Sequence, residues 1–548
     1  MAAPSNSTLA QGSVLTGLGV GLNAVVAEVF RVAPMQALPA RAKSTRSVDE
    51  ERESLRSAIG AVGAHLDALG AKVGSTSAEI FEALKFLLED DELFEVAEGH
   101  LNEGWSAAAA YGMAVDEFAE LLGGDPDFDE RVKDLQDLSR RVQAEIAGIK
   151  VNLELPIEGS FVIVGEDFSP ADTAQFTSAV VGVITISGGP TSHTAIICRS
   201  RSIAAVVSCA SAADLVDGDV VLVDPVGDRV VVGGEISSAT QAITFVDTGR
   251  EPIIPVRSNI GSLEDANKAS AASANGVGLF RTELLYLSAT SQPDVASQSA
   301  SYAEILAAAP EGPIVVRTID AGSDKPVPFL NMPHEENPSL GVRGFRLIRE
   351  HRAFIEDQLH SIEFARAHTN REVWVMAPMI ATAGEAREFA DLARSIGKFK
   401  VGIMVETPSI VTQIADLKGQ IDFLSVGTND LSQYLFAADR MNPALGLLLN
   451  PWQPALIRTL ARIASEAEAA GISSGVCGES ASDPAFAVVL AGLGFKSVSA
   501  SASQVGAVRA ALSATLVVDA KRIAAGALEF STAEEAKAFV TAELSKLN

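Results

Sequence analysis

Cysteine is scarce. Three residues, Cys198, Cys209 and Cys477, in a chain of 548 cannot build a disulfide framework, and a reduced, cytoplasmic setting fits best. Positive charge is in deficit: 42 Lys and Arg stand against 70 Asp and Glu, a formal net charge of −28. Nucleic acids and anionic membranes both select basic patches, so neither is an expected partner, whereas a basic protein is permitted. Long apolar runs are missing too. None reaches about 18 residues, so no membrane insertion is expected. The opening MAAPSNSTLAQGS lacks a basic stretch followed by an apolar one, and residues 1–13 read as a disordered tail rather than a signal peptide. No pair among His65, His100, His334, His351, His360 and His368 has metal-ligand spacing on a helix, which argues against zinc.

The composition, 47% hydrophobic and 20% charged, is that of a soluble globular protein, and the length calls for two to four domains. Residues 14–34 (VLTGLGVGLNAVVAEVFRVAP) are apolar, Gly-punctuated and strand-like. From 45 to 149 the apolar residues recur at helical spacing: Leu55, Ile59, Val62, Leu66 and Leu69, then Phe81, Leu84, Leu88 and Phe94. This predicts an all-helical segment. Between Arg46 and Ile149 there are 24 Asp and Glu against 9 Lys and Arg, a net of −15. Such a surface is either simply well solvated or a docking face for a basic partner.

Between 150 and 234 strand patterns return (FVIVGE, AVVGVITIS, IAAVVS, DVVLVD, RVVVGG), with one helical stretch, SHTAIICRSRS. Residues 14–44 and 150–234 therefore form one small α/β domain, which the helical insert 45–149 interrupts. Residues 235–252 read as a linker. From 253 to 548 short apolar runs alternate with helical stretches: IIPVRS, GVGLF, PIVVR, VWVMA, VGIMV, DFLSV, SGVC and SVSAS. Eight strands alternating with helices predict a (β/α)8 TIM barrel, ahead of an open doubly wound sheet, because no Gly-rich dinucleotide fingerprint follows an early strand.

Active sites of such barrels lie at the C-terminal strand ends. Arg281, Arg317, Glu406, Asn429, Asp430 and Cys477 all follow predicted strands, and Arg343 and Arg440 lie in nearby loops. Carboxylates with an amide suit Mg2+ or Mn2+, and several arginines suit phosphate and carboxylate. The set asks for a small, multiply anionic phosphorylated ligand. A second candidate is SGGPTSHTAIICRS (187–200), where a strand runs into glycines and a helix starts with His193 in its first turn. Exposed N–H groups and the positive helix end attract phosphate there, and a neutral imidazole is a good nucleophile.

The segment Gly188-Gly189-x-Thr191-Ser192-His193 resembles the phosphohistidine signature of phosphoenolpyruvate-utilising enzymes. With GVGLFRTELLYL (276–287), RTIDAGSDK (317–325), ENPSLGVRGFR (336–346), GIMVETP (402–408), VGTNDLSQYLFAADR (426–440) and GVCGESASD (475–483), it is similar to the Enzyme I family of the bacterial sugar phosphotransferase system. The resemblance implies a phosphoenolpyruvate-protein phosphotransferase. By the same resemblance, His193 would be phosphorylated on Nε2; Arg281, Arg317, Asn429, Asp430 and Arg440 would bind phosphoenolpyruvate; Glu406 and Asp430 would hold Mg2+; and Cys477 would protonate the enolpyruvate carbon. The resemblance further implies that the helical insert docks the phosphocarrier protein HPr and that the barrel forms a homodimer. Pro190 and Ser323 depart from the family pattern without removing a catalytic group. A dikinase or synthase of the same superfamily would carry a large ATP-grasp domain, which is not seen here. A degenerate scaffold would lack His193, Glu406 or Asp430.

Overall fold

The computed structural model describes residues 9–547, apart from 22, 33–37, 39, 71–80, 82–83, 123–128, 150–152, 154, 190–191, 202, 241–244, 246–247, 287–288, 290, 323–326, 331, 334 and 441. Pro190 and Ser323 thus fall outside the described residues. The chain divides into two compact units, 1–242 with 441–447, and 243–440 with 448–548.

The first unit holds a mixed eight-stranded sheet. Its strands are β1 (Val14–Thr16), β2 (Leu18–Val20), β3 (Val25–Arg31), β4 (Phe161–Gly165), β5 (Val180–Thr185), β6 (Ala204–Val207), β7 (Val220–Asp224) and β8 (Arg229–Val232). Their spatial order is β1-β8-β7-β3-β4-β5-β6-β2. The central strands β3 to β6 run parallel, and the outer pairings are antiparallel. The apolar runs of β4 and β5 are continuous because both faces are covered. Val162, Val164 and Ile184 point into one core, while Ile163 and Val183 point into the other. The strand-like N-terminal residues complete this sheet, as their pattern predicted.

The chain between β3 and β4 is helical: Val48–Gly70, Asp91–Asn102, Ala107–Leu122 and Asp129–Ala147. The heptad-like residues Leu55, Val62, Leu66, Leu69, Leu84 and Leu88 are buried in its core with Tyr111 and Val142, and Ile59 and Phe94 pack partly buried at the edge. Asp90 caps one helix by accepting N–H bonds from Glu92 and Leu93 at 2.9 and 3.1 Å.

The second unit is a closed parallel barrel of β9 (Val256–Ile260), β10 (Val277–Arg281), β11 (Ile314–Arg317), β12 (Val373–Ala377), β13 (Lys400–Val405), β14 (Phe423–Val426), β15 (Ser473–Val476) and β16 (Ser497–Ser501). Each strand coincides with one apolar run of the sequence. The ring closes where Val256 pairs with Val498. Strand β9 begins three residues later than its run at Ile253. Pro255 has no N–H to pair and offers only its carbonyl, to Val498 N at 3.1 Å. Leu279, Val315, Met376, Met404, Phe423 and Cys477 cluster together, with Trp374 packed against them. Among the described residues no helix is long and apolar enough to cross a membrane.

Candidate active site

The barrel brings the predicted polar residues to one mouth. Arg281 ends β10 and Arg317 ends β11; Glu406 follows β13 and Cys477 follows β15. Asn429 and Asp430 open the helix Thr428–Phe436 after β14, where the positive helix end suits a carboxylate. These are the C-terminal strand ends.

Charges alternate along one connected series. Arg317 Nη2 pairs with Glu283, and its Nη1 lies 3.0 Å from Asp320 Oδ2. Arg343 Nη2 lies 3.1 Å from the same Asp320 oxygen, and its Nη1 lies 3.2 Å from Asp430 Oδ1. Arg440 Nη1 approaches that Asp430 oxygen at 3.6 Å. Arg343 is fully buried, as is Asp320. Burial lowers the Arg317 pKa, but the carboxylates of Glu283 and Asp320 more than reverse this and keep it cationic. Fixed guanidinium groups of this kind suit bidentate capture of carboxylate or phosphate.

Glu406 stands apart from this series. Its Oε1 accepts the N–H of Met379 at 2.6 Å, while its buried Oε2 has no hydrogen-bond partner among the described residues. Burial, reinforced by Asp430 and Asp320 and opposed by Arg317 and Arg343, pushes its pKa up to about 8. A Cβ on Gly427 would come within 2.8 Å of that free oxygen, so glycine keeps the space beside it open. An unpaired buried carboxylate oxygen, a second carboxylate in the same charge field and an open cradle fit a hard divalent cation. Among the described residues no group of three or more His, Cys, Asp or Glu side chains is arranged to hold a metal alone, so solvent or ligand oxygens would complete the shell.

Cys477 is buried, and its Sγ lies 3.5 Å from the carbonyl of Val426. Burial raises its pKa to about 11, with Ser425 and Arg317 pulling the other way, so the thiol keeps its proton at neutral pH. Asn429 Oδ1 accepts from Glu479 N at 3.3 Å. Sequence reasoning missed Glu283, Asp320 and Met379. Glu283 and Asp320 lie inside quoted motifs, but their role as anchors for the arginines depends on partners far along the chain.

The histidine site lies in the first unit. His193 is the first residue of the helix His193–Ser200, and Ser192 caps it by accepting Ala195 N at 3.3 Å. The His193 side chain lies outside the described residues. Gly188, at φ +84°, makes the turn before it, and the Ser208 hydroxyl donates to the Gly188 carbonyl. Cys198, five residues on, is fully buried, and burial pushes its thiol up to about 12, so it is a packed side chain rather than a reactive one.

Residues 237–517 match the PEP-binding domain of PEP-utilising enzymes, 157–226 their mobile domain and 14–131 their N-terminal domain. The chain belongs to the PEP-utilising enzymes. Among its relatives is the phosphoenolpyruvate-protein phosphotransferase of Streptomyces coelicolor, 38% identical over 97% of this chain and 99% of that one. The protein of the same name from Geobacillus stearothermophilus is 32% identical over 96% and 97%. That from Haloferax volcanii is 36% identical over 86% and 88%. In this PEP-utilising enzyme the charged barrel mouth falls within the PEP-binding match and the His193 helix within the mobile-domain match. The membership implied by the short motifs is therefore borne out along nearly the whole chain.

Proposed function

We propose that this chain is a phosphoenolpyruvate-protein phosphotransferase. It moves the phosphoryl group of phosphoenolpyruvate onto His193, releases pyruvate, and passes the group to HPr, which feeds sugar uptake by the phosphotransferase system. The observation that carries this reading is the alternating series Glu283, Arg317, Asp320, Arg343, Asp430 and Arg440 at the barrel mouth, together with the protonated Cys477 thiol.

Arg281, Arg317 and Arg440, with Asn429, would receive the carboxylate and phosphate of the substrate, and Asp430 would reach the phosphate through the cation it helps to hold. Their carboxylate partners hold Arg317 and Arg440 in place beforehand, so little reorganisation accompanies the reaction. Glu406 and Asp430 would hold Mg2+, which when bound offsets charge on the phosphoryl oxygens. The bond from phosphorus to the enol oxygen breaks as the bond to His193 Nε2 forms. The enolate carbon then takes the Cys477 proton, and solvent reprotonates the thiolate. At the helix start, backbone N–H groups and the helix dipole favour the phosphoryl group on the imidazole. His193 serves both phosphoenolpyruvate and HPr, so the mobile domain has to swing between them. The acidic helical insert is the natural docking face for HPr. A homodimer built through the barrel and a cytoplasmic location complete the reading.

The test is to incubate the full chain with Mg2+ and radiolabelled phosphoenolpyruvate beside His193→Ala. Acid-labile, base-stable label on the wild type alone, passing on to HPr, is the expected result. An unlabelled but folded wild type would end this reading.

A further inference from the structure

Along β9, Val256 and Ile260 point outward into the core beneath the barrel helices, so strand alternation turns Asn259 into the barrel. Val426, Val476 and Val498 face outward on β14, β15 and β16, which turns Ser425, Cys477 and Ser499 inward. One wall of the interior is apolar, built from Leu279, Val315, Met376 and Met404. The other wall, β14-β15-β16-β9, carries Ser425, Ser499 and Asn259. Cys477 belongs to the polar wall and packs against the apolar one.

Asn259 ties Cys477 to the polar wall. The β15–β16 ladder pairs Gly475 with Ser497 and Val476 with Val498, and goes no further. Past its end the Cys477 carbonyl is met by a side chain: Asn259 Nδ2 donates to it at 3.1 Å, from one strand further round the ring. A carbonyl only accepts, so the amide turns its NH2 toward Cys477 and its oxygen away. The Ser499 hydroxyl donates to that oxygen, Asn259 Oδ1, at 2.7 Å. Gly278 on β10 leaves Ser499 its place, since a Cβ there would lie 2.5 Å from the Ser499 Oγ. On the opposite side, Cys477 N donates to the Val426 carbonyl at 3.0 Å. The backbone that carries the thiol is thus held by β14 on one side and by Asn259 on the other.

Resting on the proposed role of Cys477 as the acid, we propose that Asn259 is a positioning residue for protonation at carbon. It acts through Cys477: by fixing the carbonyl next to the thiol-bearing Cα, it aims Sγ at one face of the enolate. The S–H bond breaks as the new C–H bond forms, the electron pair stays on sulfur, and water returns the proton afterwards. Binding of phosphoenolpyruvate and of the cation makes no use of this contact.

The test uses the full chain with Asn259→Leu, close in volume but unable to hydrogen-bond. The substrate is phosphoenolpyruvate with one deuterium at C3 in the Z position, turned over with Mg2+ in tritiated water. Pyruvate is trapped at once as lactate, and the configuration of its methyl group is determined. A proton delivered by an aimed thiol gives one configuration; an enolate that takes its proton from water gives both. The wild type should give one. Asn259→Leu should lower kcat by about 10- to 10²-fold, leave KM and Mn2+ affinity unchanged, and give both configurations. Ser499→Ala, which removes only the hydroxyl that orients the amide, should show the same scrambling to a smaller degree, and it decides the matter if Asn259→Leu does not fold. Slower turnover that keeps a single configuration would make Asn259 a merely structural residue, and wild-type rate and configuration would remove its role; either overturns the proposal. Two wild-type results bear on the underlying reading instead. Both configurations from a wild type that still labels His193 would end the role of Cys477 as acid, and this proposal with it, while leaving the phosphotransferase standing. A folded wild type without label would end the phosphotransferase reading itself.

Discussion

The backbone N–H of Met379 donates to Glu406 Oε1 at 2.6 Å, and Met379 takes a left-handed φ of +57° to do so. A non-glycine residue there is strained, and the strain sits beside the proposed metal ligand. Met379→Ile keeps the volume but adds a β-branch at that φ. Urea unfolding should show a loss of about 1–3 kcal/mol, and labelling from phosphoenolpyruvate should slow as Glu406 loses its anchor. Unchanged stability would mean that the backbone strain is not there.

Glu406 makes stability depend on pH. Its pKa of about 8 lies above the ordinary 4.5, because burial and the nearby Asp430 and Asp320 disfavour its charge. The stability gained from holding the proton is complete below 4.5 and is lost as pH rises through about 8. Without divalent cation, the wild-type unfolding midpoint should decline across this window relative to Glu406→Gln. Mg2+ should restore it at the alkaline end for the wild type only. Parallel curves for the two proteins would contradict the burial of an unpaired carboxyl.

Gly427→Ala probes the cradle. The new Cβ would lie 2.8 Å from Glu406 Oε2 and 3.1 Å from Met404 Sδ. Mn2+ affinity, read by electron paramagnetic resonance, should drop about 10-fold or more, with the thermal midpoint little changed. Full retention of Mn2+ binding would place the cation elsewhere.

Cys477→Ala removes the proposed acid. Pyruvate formation should slow by about 10²–10⁴-fold, measured with a lactate dehydrogenase couple. Because the thiol is raised to about 11, the wild-type rate should show no alkaline limb from this group up to its ordinary 9.0. A variant with normal pyruvate release would assign the proton to another donor.

The barrel was legible because strands buried on both faces read as uninterrupted apolar runs, as VGIMV and DFLSV do. The catalytic candidates were legible because they follow those runs directly. Asp320 was not, because its significance depends on Arg343, which arrives from a loop 23 residues later. Met379 was hidden because neither glycine nor asparagine marks its left-handed turn. Burial itself can be hidden: Arg140 and Arg141, neighbours on the helix Asp129–Ala147, look alike in sequence, yet the first is exposed and the second buried. Charge counts cannot separate the two.

Strands β3 and β4 are parallel neighbours, pairing from Glu28 with Phe161 to Arg31 with Val164. The helical insert leaves from one and returns to the other, so all of it occupies the slot of a single crossover connection. An ordinary crossover there would need only about a dozen residues. Exchanging the insert therefore requires no rewiring of the sheet, and the docking surface proposed for it can be swapped by design while the strand order that carries the His193 helix stays the same.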